Sequence, residues 1–312
     1  MRARKELDDV GWDNGPWSVR QRLLALAIEG VPSEATIWRV LVRRGLITPN
    51  PKKRPKNTWH RFVWDRPNDL WQIDATHWVL AGGQIVEIIN IIDDHSRVCV
   101  RSLAVRTCTS AGAWNALEQG AATWLLPARL LSDNGIAFNQ SRRNTVSHFE
   151  ENLRRIGVLP IASTPFHPQT CGKVERFHQT LKKWLARQTP ARTLHELQSQ
   201  LDSFTRHYNN ERPHRSLHGR TPATVWRAQP AAIPAGHPIT DTTTIVRTRS
   251  SNSSGNVAIG RRHTVGLGIE HAGKTFTVMI TGQDCAIFLN GRHVRSITLH
   301  PEQKHYPVQR RQ

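Results

Sequence analysis

Two aspartates and a glutamate, far apart along the chain, stand in contexts that suit the binding of a hard metal ion. Asp74 lies inside residues 70–80, a run that is otherwise largely apolar or β-prone, where a carboxylate is costly unless it is paired or binds a metal. Asp133 follows the short apolar run 128–131, at a strand end of the kind that borders ligand crevices in open α/β sheets. Each also has an ordinary explanation, because an aspartate can face water at a strand end and Asp-Asn-Gly is a favoured turn.

The glutamate, Glu175, lies on a predicted amphipathic helix over residues 170–188. It sits off the apolar stripe and shares a flank with Gln179 and Lys182, so an acid and a base could stand together at a cleft edge. The stripe, which would anchor the helix to a sheet, consists of Val174, Phe177, Leu181, Trp184 and Leu185. A solvated surface glutamate is the usual alternative. Taken singly, none of the three acids can be assigned as catalytic rather than structural.

Three apolar, β-branched runs are predicted to form the antiparallel strands that would position Asp74. They cover residues 70–80, 84–92 and 97–105, with Gly82-Gly83 and residues 93–96 between them. In the second connection Asp93 and Asp94 are interpreted as turn formers and not as metal ligands. Further along, the pattern predicts a helix over about 110–124, a strand at 128–131, and helices over about 142–156, 170–188 and 194–208. Strands first and helices after them favour a mixed α/β core.

The region before these strands predicts a pair of helices. Residues 1–16 are polar without a sustained apolar period, and we expect them to be disordered or loosely attached. From Trp17 an apolar stripe predicts one helix, Gly30 and Pro32 end it, and Ser33 can cap a second. The pattern therefore indicates helix, turn, helix.

Basic side chains mark this region as a candidate DNA-binding unit. On the second helix Thr36, Arg39 and Arg43 lie away from the apolar stripe, as a helix entering a major groove would require. An ordinary helical hairpin with a basic face would look the same. Residues 49–56 form a proline-stiffened basic run that suits a linker lying along phosphates, or a solvated linker. Its predicted DNA contacts are Lys52, Lys53 and Arg54.

The end of the chain predicts a small β-barrel or sandwich behind an Ala- and Pro-rich linker at residues 228–238. The signals are the alternation of Val265, Leu267 and Ile269, the β-prone runs 275–280 and 286–289, and the hairpin dipeptide Asn290-Gly291.

The charge balance favours a polyanionic partner. The chain has 43 Lys and Arg and 24 Asp and Glu, which gives a formal net charge of +19. Nucleic acid is therefore the leading candidate partner. No apolar run approaches the roughly 20 residues that span a bilayer, and the start has no signal-peptide apolar region. We therefore expect a cytoplasmic, nucleoid-associated protein without a membrane partner. The four cysteines form no CxxC pair, which argues against a disulfide framework and a cysteine zinc site.

Read with their neighbours, the three acids resemble those of bacterial insertion-sequence transposases with a retroviral-integrase-like DDE catalytic core. Five matching stretches follow the family's order and cover most of residues 59–226, which is far more specific than any one match. They are Leu70-Trp71-Gln72-Ile73-Asp74, Ile92-Asp93-Asp94-His95-Ser96-Arg97, Ser132-Asp133-Asn134-Gly135, the run from His167 to His178, and Tyr208-Asn209-Asn210-Glu211-Arg212-Pro213-His214.

The resemblance implies a ribonuclease H-like mixed-sheet core in which Asp74, Asp133 and Glu175 are catalytic and hold Mg²⁺ or Mn²⁺, two ions per active site. Such ions suit phosphodiester chemistry because they activate the nucleophile and stabilise the leaving oxygen. Water would cut DNA at the element's ends, and the freed 3′-hydroxyl would attack target DNA, with no covalent protein intermediate and no nucleotide hydrolysis. The implied partner is double-stranded DNA, both element ends and target. A homo-oligomer, dimer or higher, is expected because two ends are joined.

The resemblance also implies a domain plan. A helix-turn-helix region with a basic linker would occupy residues 1–58, the catalytic core 59–228, a linker 229–241, and a small DNA-binding β-barrel with a basic tail 242–312. Many relatives carry two successive helix-turn-helix units, whereas this sequence predicts one. Residues predicted to align DNA or support the carboxylates, or else to be structural polar groups, are Asn134, His167, Lys173 and Lys182.

Two other classes of protein stay open. A catalytically silent DNA-binding protein derived from a transposase would explain the charge and the helical pair, but it would gain nothing from three carboxylates facing phosphates. A tyrosine recombinase would need a nucleophilic tyrosine with an Arg and His cluster. The chain has only Tyr208 and Tyr306, and Tyr208 falls inside one of the matching stretches.

Overall fold

The computed structural model describes residues 1–48, 63–132, 137–138, 147–162, 172–239, 244–260 and 262–308. Its centre is a five-stranded mixed sheet in the order β3-β2-β1-β4-β5. The strands are β1 (Trp71–Val79), β2 (Ile85–Asp93), β3 (Cys99–Val105), β4 (Arg129–Ser132) and β5 (Leu159–Ala162). The first three form an antiparallel meander, as the apolar runs predict, while β4 and β5 run parallel to β1.

Helices cover both faces of this sheet, which explains why its strands are apolar on both sides. They are α4 (Ser110–Trp124), α5 (His148–Arg155), α6 (Gly172–Leu185), α7 (Leu194–Asn210) and α8 (Pro222–Arg227). On β2, Ile89 packs with α4 and α5, whereas its neighbour Ile88 packs with α6 and α7. On β1, Ile73 belongs to the first face, so Asp74 points to the second, where α6 lies.

The predicted helices of the core are confirmed, but one strand is missed. Helix α4 has the predicted bounds, and the part of the predicted helix 142–156 within the described residues is α5. Strand β5 gave no strand signal because Pro160 interrupts its short run. An edge strand tolerates proline, and Pro160 pairs with Leu130 on the sheet's edge.

The expectation that residues 1–16 are disordered or loosely attached is wrong. Residues Arg2–Asp9 form α1, which precedes α2 (Pro16–Ala25) and α3 (Glu34–Arg43). Ala3 of α1 is buried with Val19, Ile37 and Leu41 of the following helices. Trp12 stacks on Phe204 and His207 of α7. An eight-residue helix carrying only Ala3 and Leu7 on its packed side is too short to produce a periodic apolar signal.

The C-terminal residues form two sheets around one apolar core. The strands are β6 (Thr244–Ser250), β7 (Asn256–Ile259), β8 (His263–Gly266), β9 (Thr275–Thr281), β10 (Asp284–Leu289), β11 (Arg292–Thr298) and β12 (His305–Tyr306). The Asn290-Gly291 hairpin is confirmed between β10 and β11, where both residues have positive φ, at 51° and 76°. The predicted alternation fails at Ile269, which lies exposed in a 3-10 turn. Closure of the two sheets into a barrel stays a prediction.

The C-terminal strands are fixed against the core at the start of β4. Arg129 donates two hydrogen bonds of 2.8 Å to Asp284 of β10, and its guanidinium lies 4.5 Å from the centroid of the Trp64 ring. Trp64 also packs edge-on against Phe288, with 5.1 Å between ring centroids. Its backbone N–H donates to Asp94, so Trp64 links the C-terminal strands to the turn that follows β2 in the main sheet. Among the described residues, no helix is both long and apolar enough to cross a bilayer.

Candidate active site

Asp74 occupies the point at which the central strands part. Strand β4 pairs with β1 only along Trp71–Ile73, and the last of these pairs is Ile73 with Ser132. Asp74 is the next residue on β1, with its side chain 23 % exposed, and its Oδ1 accepts a 2.8 Å hydrogen bond from the Ala75 N–H. Its carboxylate therefore reaches solvent beside the end of a parallel strand, where open sheets bind ligands.

Asp133, the second predicted acid, lies outside the described residues, as do Asn134 and His167. In the sequence Asp133 directly follows Ser132, whose strand partner Ile73 directly precedes Asp74. The convergence of Asp133 with Asp74 stays a prediction.

Glu175 lies exposed on the first turn of α6. The predicted apolar stripe is confirmed, because Val174, Phe177 and Leu181 are buried against β2 and α7. His178, three residues after Glu175 and so on the adjoining part of the helix surface, has its Nδ1 3.8 Å from Asp74 Oδ2. Two of the three predicted acids thus stand on elements that touch, with Glu175 one helical turn from the contact.

His178 is a candidate site residue that the sequence reasoning missed. Its side chain is only 11 % exposed, and burial, with the nearby Lys182 charge, lowers its pKa to about 4. The imidazole is therefore neutral at pH 7, and its contact with Asp74 is polar without being an ion pair. The buried Nε2 has no hydrogen-bond partner within the described part of the chain. The signal available in the sequence was its spacing of three from Glu175.

Lys173 and Lys182, two of the predicted DNA contacts, are placed differently by the fold. Lys182 lies close enough to His178 for its charge to lower that pKa, on the flank shared with Glu175. The Lys173 ammonium points into the protein and lies 2.5 Å from Asp94 Oδ1, and burial lowers the Lys173 pKa to about 7. In this arrangement the Lys173 side chain bonds to a buried carboxylate inside the protein. Its contact with DNA stays a prediction.

The turn-forming role of Asp93 is confirmed, and Asp94 does more. Asp93 accepts hydrogen bonds of 2.7 and 2.6 Å from the backbone N–H and hydroxyl of Ser96, which close the turn. Asp94 instead accepts from Trp64, Gln72 and Lys173, which come from three separate segments. Asp94 is therefore buried and connects three segments of the chain, in addition to its place in the turn.

A basic cleft of about 620 Å³ opens between the N-terminal helices and the first turn of α6. Four arginines help to line it: Arg97, Arg176, Arg212 and Arg215. Arg212 pairs with Asp13, and Arg215 pairs with Glu34 at 3.1 Å, so acids of the N-terminal region meet part of this charge. The cleft places a polyanion-attracting surface next to Glu175.

The predicted DNA-reading face of α3 is exposed. Ser33 caps the helix by accepting from the Thr36 N–H at 3.2 Å, and Arg39 and Arg43 point to solvent. Lys52, Lys53 and Arg54 lie outside the described residues. Contact of Arg39 and Arg43 with DNA stays a prediction that a footprint of the bound duplex would test.

The described residues alone do not form a complete metal site. Within the described ranges, no cluster of three or more His, Cys, Asp or Glu side chains is arranged to hold a metal ion. Asp74 and Glu175 supply hard carboxylate oxygens on touching elements, which is the donor chemistry that Mg²⁺ prefers. With one further carboxylate, the site could hold divalent ions against a phosphodiester.

Comparison with known proteins gives two family models, both described as "Integrase core domain", that match residues 65–168 and 156–222. A putative integrase of Spiroplasma virus SpV1-C74 is 26 % identical over 209 residues, 54 % of this chain and 58 % of the viral protein. A 39.2 kDa protein of insertion element IS476 from Xanthomonas euvesicatoria is 26 % identical over 162 residues, 52 % of this chain and 45 % of that protein. The matched region therefore spans less than two thirds of either relative. The magnesium complex of the HTLV-2 integrase catalytic core, in trimeric form, aligns at a TM-score of 0.41 and 19 % identity, covering 51 % of this chain and 97 % of the viral domain.

Proposed function

The chain belongs to the integrase core family through residues 65–222, and we propose on that basis that it is a DDE transposase that cleaves DNA at the ends of a mobile element and transfers the strands into target DNA. The observation that carries the proposal is the contact between α6 and β1. His178 meets Asp74 there, and Glu175 stands one turn away on the same helix. This contact supports the proposal because it joins the strand that carries one predicted acid to the helix that carries another.

Asp74, Asp133 and Glu175 are the proposed ligands of Mg²⁺ or Mn²⁺, two ions per active site. The described donors fit such ions, because both carboxylates are accessible and hard oxygen ligands suit them. When bound, the ions would supply Lewis-acid activation of the nucleophile and stabilisation of the leaving oxygen.

The chain's own residues would hold and orient the reacting groups. A water molecule aligned at the carboxylates attacks the phosphorus at an element end, and one P–O bond forms as another breaks to leave a 3′-hydroxyl. That hydroxyl attacks a target phosphodiester by the same exchange, so no covalent protein intermediate and no nucleotide hydrolysis is needed. His178 lies 3.8 Å from Asp74 and, being neutral, would add no positive charge beside cations held there.

The rest of the chain is proposed to hold DNA. The exposed basic face of α3 would read element ends, and the arginine-lined cleft beside α6 would attract the phosphate backbone. The C-terminal strands, fixed to the core through Arg129 and Asp284, would present a third DNA-binding surface at a set distance from the active site. A dimer or higher oligomer would bring two ends together.

A strand-transfer assay tests this function against that of a silent DNA-binding protein. The substrates are labelled duplexes carrying the repeats that flank the gene, with plasmid as target. With Mg²⁺ we expect nicked ends and joined products, and with excess EDTA neither, because the carboxylates alone do not activate water. Bound but uncut duplex in Mg²⁺ and in Mn²⁺ alike would identify a DNA-binding protein without catalysis and overturn the proposal.

A further inference from the structure

The Asp94 carboxylate accepts three hydrogen bonds from three separate segments near the candidate site, although the sequence marks it only as part of a turn. Its Oδ1 accepts from Gln72 Nε2 at 2.7 Å and from Lys173 Nζ at 2.5 Å. Its Oδ2 accepts from the Trp64 N–H at 3.0 Å, and its own N–H donates to the Leu70 carbonyl at 2.9 Å. Asp94 and Gln72 are almost fully buried.

The two side chains that share Asp94 Oδ1 each precede a predicted metal-binding acid by two residues. Gln72 lies two residues before Asp74 on β1, and alternate residues of a strand share one face, so Gln72 and Asp74 face α6 together. Lys173 lies two residues before Glu175 on α6. One oxygen atom therefore ties the acid-bearing strand to the acid-bearing helix.

The contact with Lys173 also sets the rotation of the helix. Residues two apart differ by about 200° around an α-helix, so a Lys173 side chain held toward Asp94 turns Glu175 to the opposite, exposed side. The second anchor is His178 against Asp74, further along α6. Glu175 lies between these two anchors, and its direction is fixed by both.

Stability alone is a weak reason for this arrangement. Removing an ammonium and a carboxylate from water costs about as much as their attraction returns, and apolar residues of similar size often serve a fold equally well. A buried pair with additional hydrogen-bond partners does, however, specify one geometry. We infer that Asp94 is a positioning residue that holds β1 and the first turn of α6 in the register that Asp74 and Glu175 require to bind metal. This inference rests on the proposed function, because it assumes that these two acids are ligands.

The test compares the variants Asp94→Asn, Lys173→Met and Asp94→Asn/Lys173→Met with the wild type. Each single variant leaves one buried charge without its partner and should unfold at lower temperature, whereas the double variant removes both charges and should recover most of the loss. Positioning predicts that the double variant does not recover function. Its affinity for Mn²⁺, measured by electron paramagnetic resonance, should be about 10- to 100-fold weaker than that of the wild type, the range typical for outer-sphere partners of metal ligands.

The matched control is Asp202→Asn, which breaks another pair between a strand and a helix. Asp202 of α7 lies 2.7 Å from Arg101 of the edge strand β3 and also accepts a 2.9 Å hydrogen bond from Gln198 of its own helix. We expect wild-type affinity for Mn²⁺ in this variant. Wild-type affinity in the double variant would overturn the positioning role and reduce the pair to a structural one.

A separate outcome identifies failure of the underlying function. If Glu175→Gln binds Mn²⁺ as the wild type does, Glu175 is not a ligand, and the proposed metal site falls together with the role of Asp94. If Glu175→Gln loses Mn²⁺ but the Asp94 variants bind it normally, the metal site stands and only the inference about Asp94 is refuted.

Discussion

Replacing Glu175 by glutamine is expected to lower Mg²⁺-dependent strand transfer by at least about 10³-fold. Glutamine keeps the size of the side chain and removes the charge, so α6 should pack as before through Val174, Phe177 and Leu181. Loss of a proposed metal ligand should remove several kcal/mol of transition-state stabilisation, at about 1.4 kcal/mol for each tenfold change in rate. Binding to the duplex should be retained, because basic side chains supply most of that affinity.

Glu118→Gln is the matched control for this substitution. Glu118 is an exposed glutamate on α4, across the sheet from α6, and its variant removes the same charge from the same chain. We expect the activity of Glu118→Gln to equal that of the wild type. Strand transfer by Glu175→Gln at the wild-type rate would remove Glu175 from the site.

Replacing Trp12 by alanine is expected to destabilise the protein by about 3–5 kcal/mol, the usual cost of deleting a buried tryptophan. Trp12 is 6 % exposed and stacks on Phe204 and His207, with ring centroids 5.5 and 4.3 Å away. Gly11 beside it packs so closely that a Cβ would lie 3.0 Å from the Trp184 Cα. Since the nearby ion pairs of Asp8 and Asp13 are partly exposed and individually weak, they should not hold α1–α3 in place without Trp12.

Chemical denaturation with hydrogen exchange would measure this effect. The expected result is a lower free energy of unfolding, with faster exchange in α1–α3. Trp38→Ala serves as the control, because Trp38 of α3 is 42 % exposed and its removal opens no comparable cavity. Equal stability of Trp12→Ala and the wild type would show that the N-terminal helices are held by other contacts.

Features carried by local sequence could be predicted. The strands β1 to β3 follow from β-branched runs between turn signals, and α4 and α6 follow from their apolar periods. Asp74 and Glu175 could be proposed individually in the same way. Helices α2 and α3 were predicted, but α1 and the attachment of this region to the core were not, because one aromatic side chain, Trp12, carries much of that attachment and a single residue has no period.

Features made by distant contacts could not be predicted. Lys173 is 79 residues from Asp94, and no pattern in either segment indicates that their side chains meet. His178 lay inside a stretch already matched to the family, yet its contact with Asp74 depends on how α6 crosses β1. The sequence therefore offered the candidate acids, while the structure supplied the contact between the strand and the helix that carry two of them.

If Asp74, Asp133 and Glu175 share divalent cations, a crystal grown with Mn²⁺ will reveal the ions through their anomalous scattering. We expect anomalous density between the three carboxylates, with oxygen atoms at about 2.1 Å, the distance expected for a Mg²⁺ site. Density elsewhere on the protein, or carboxylates too far apart to share an ion at saturating Mn²⁺, would contradict this expectation.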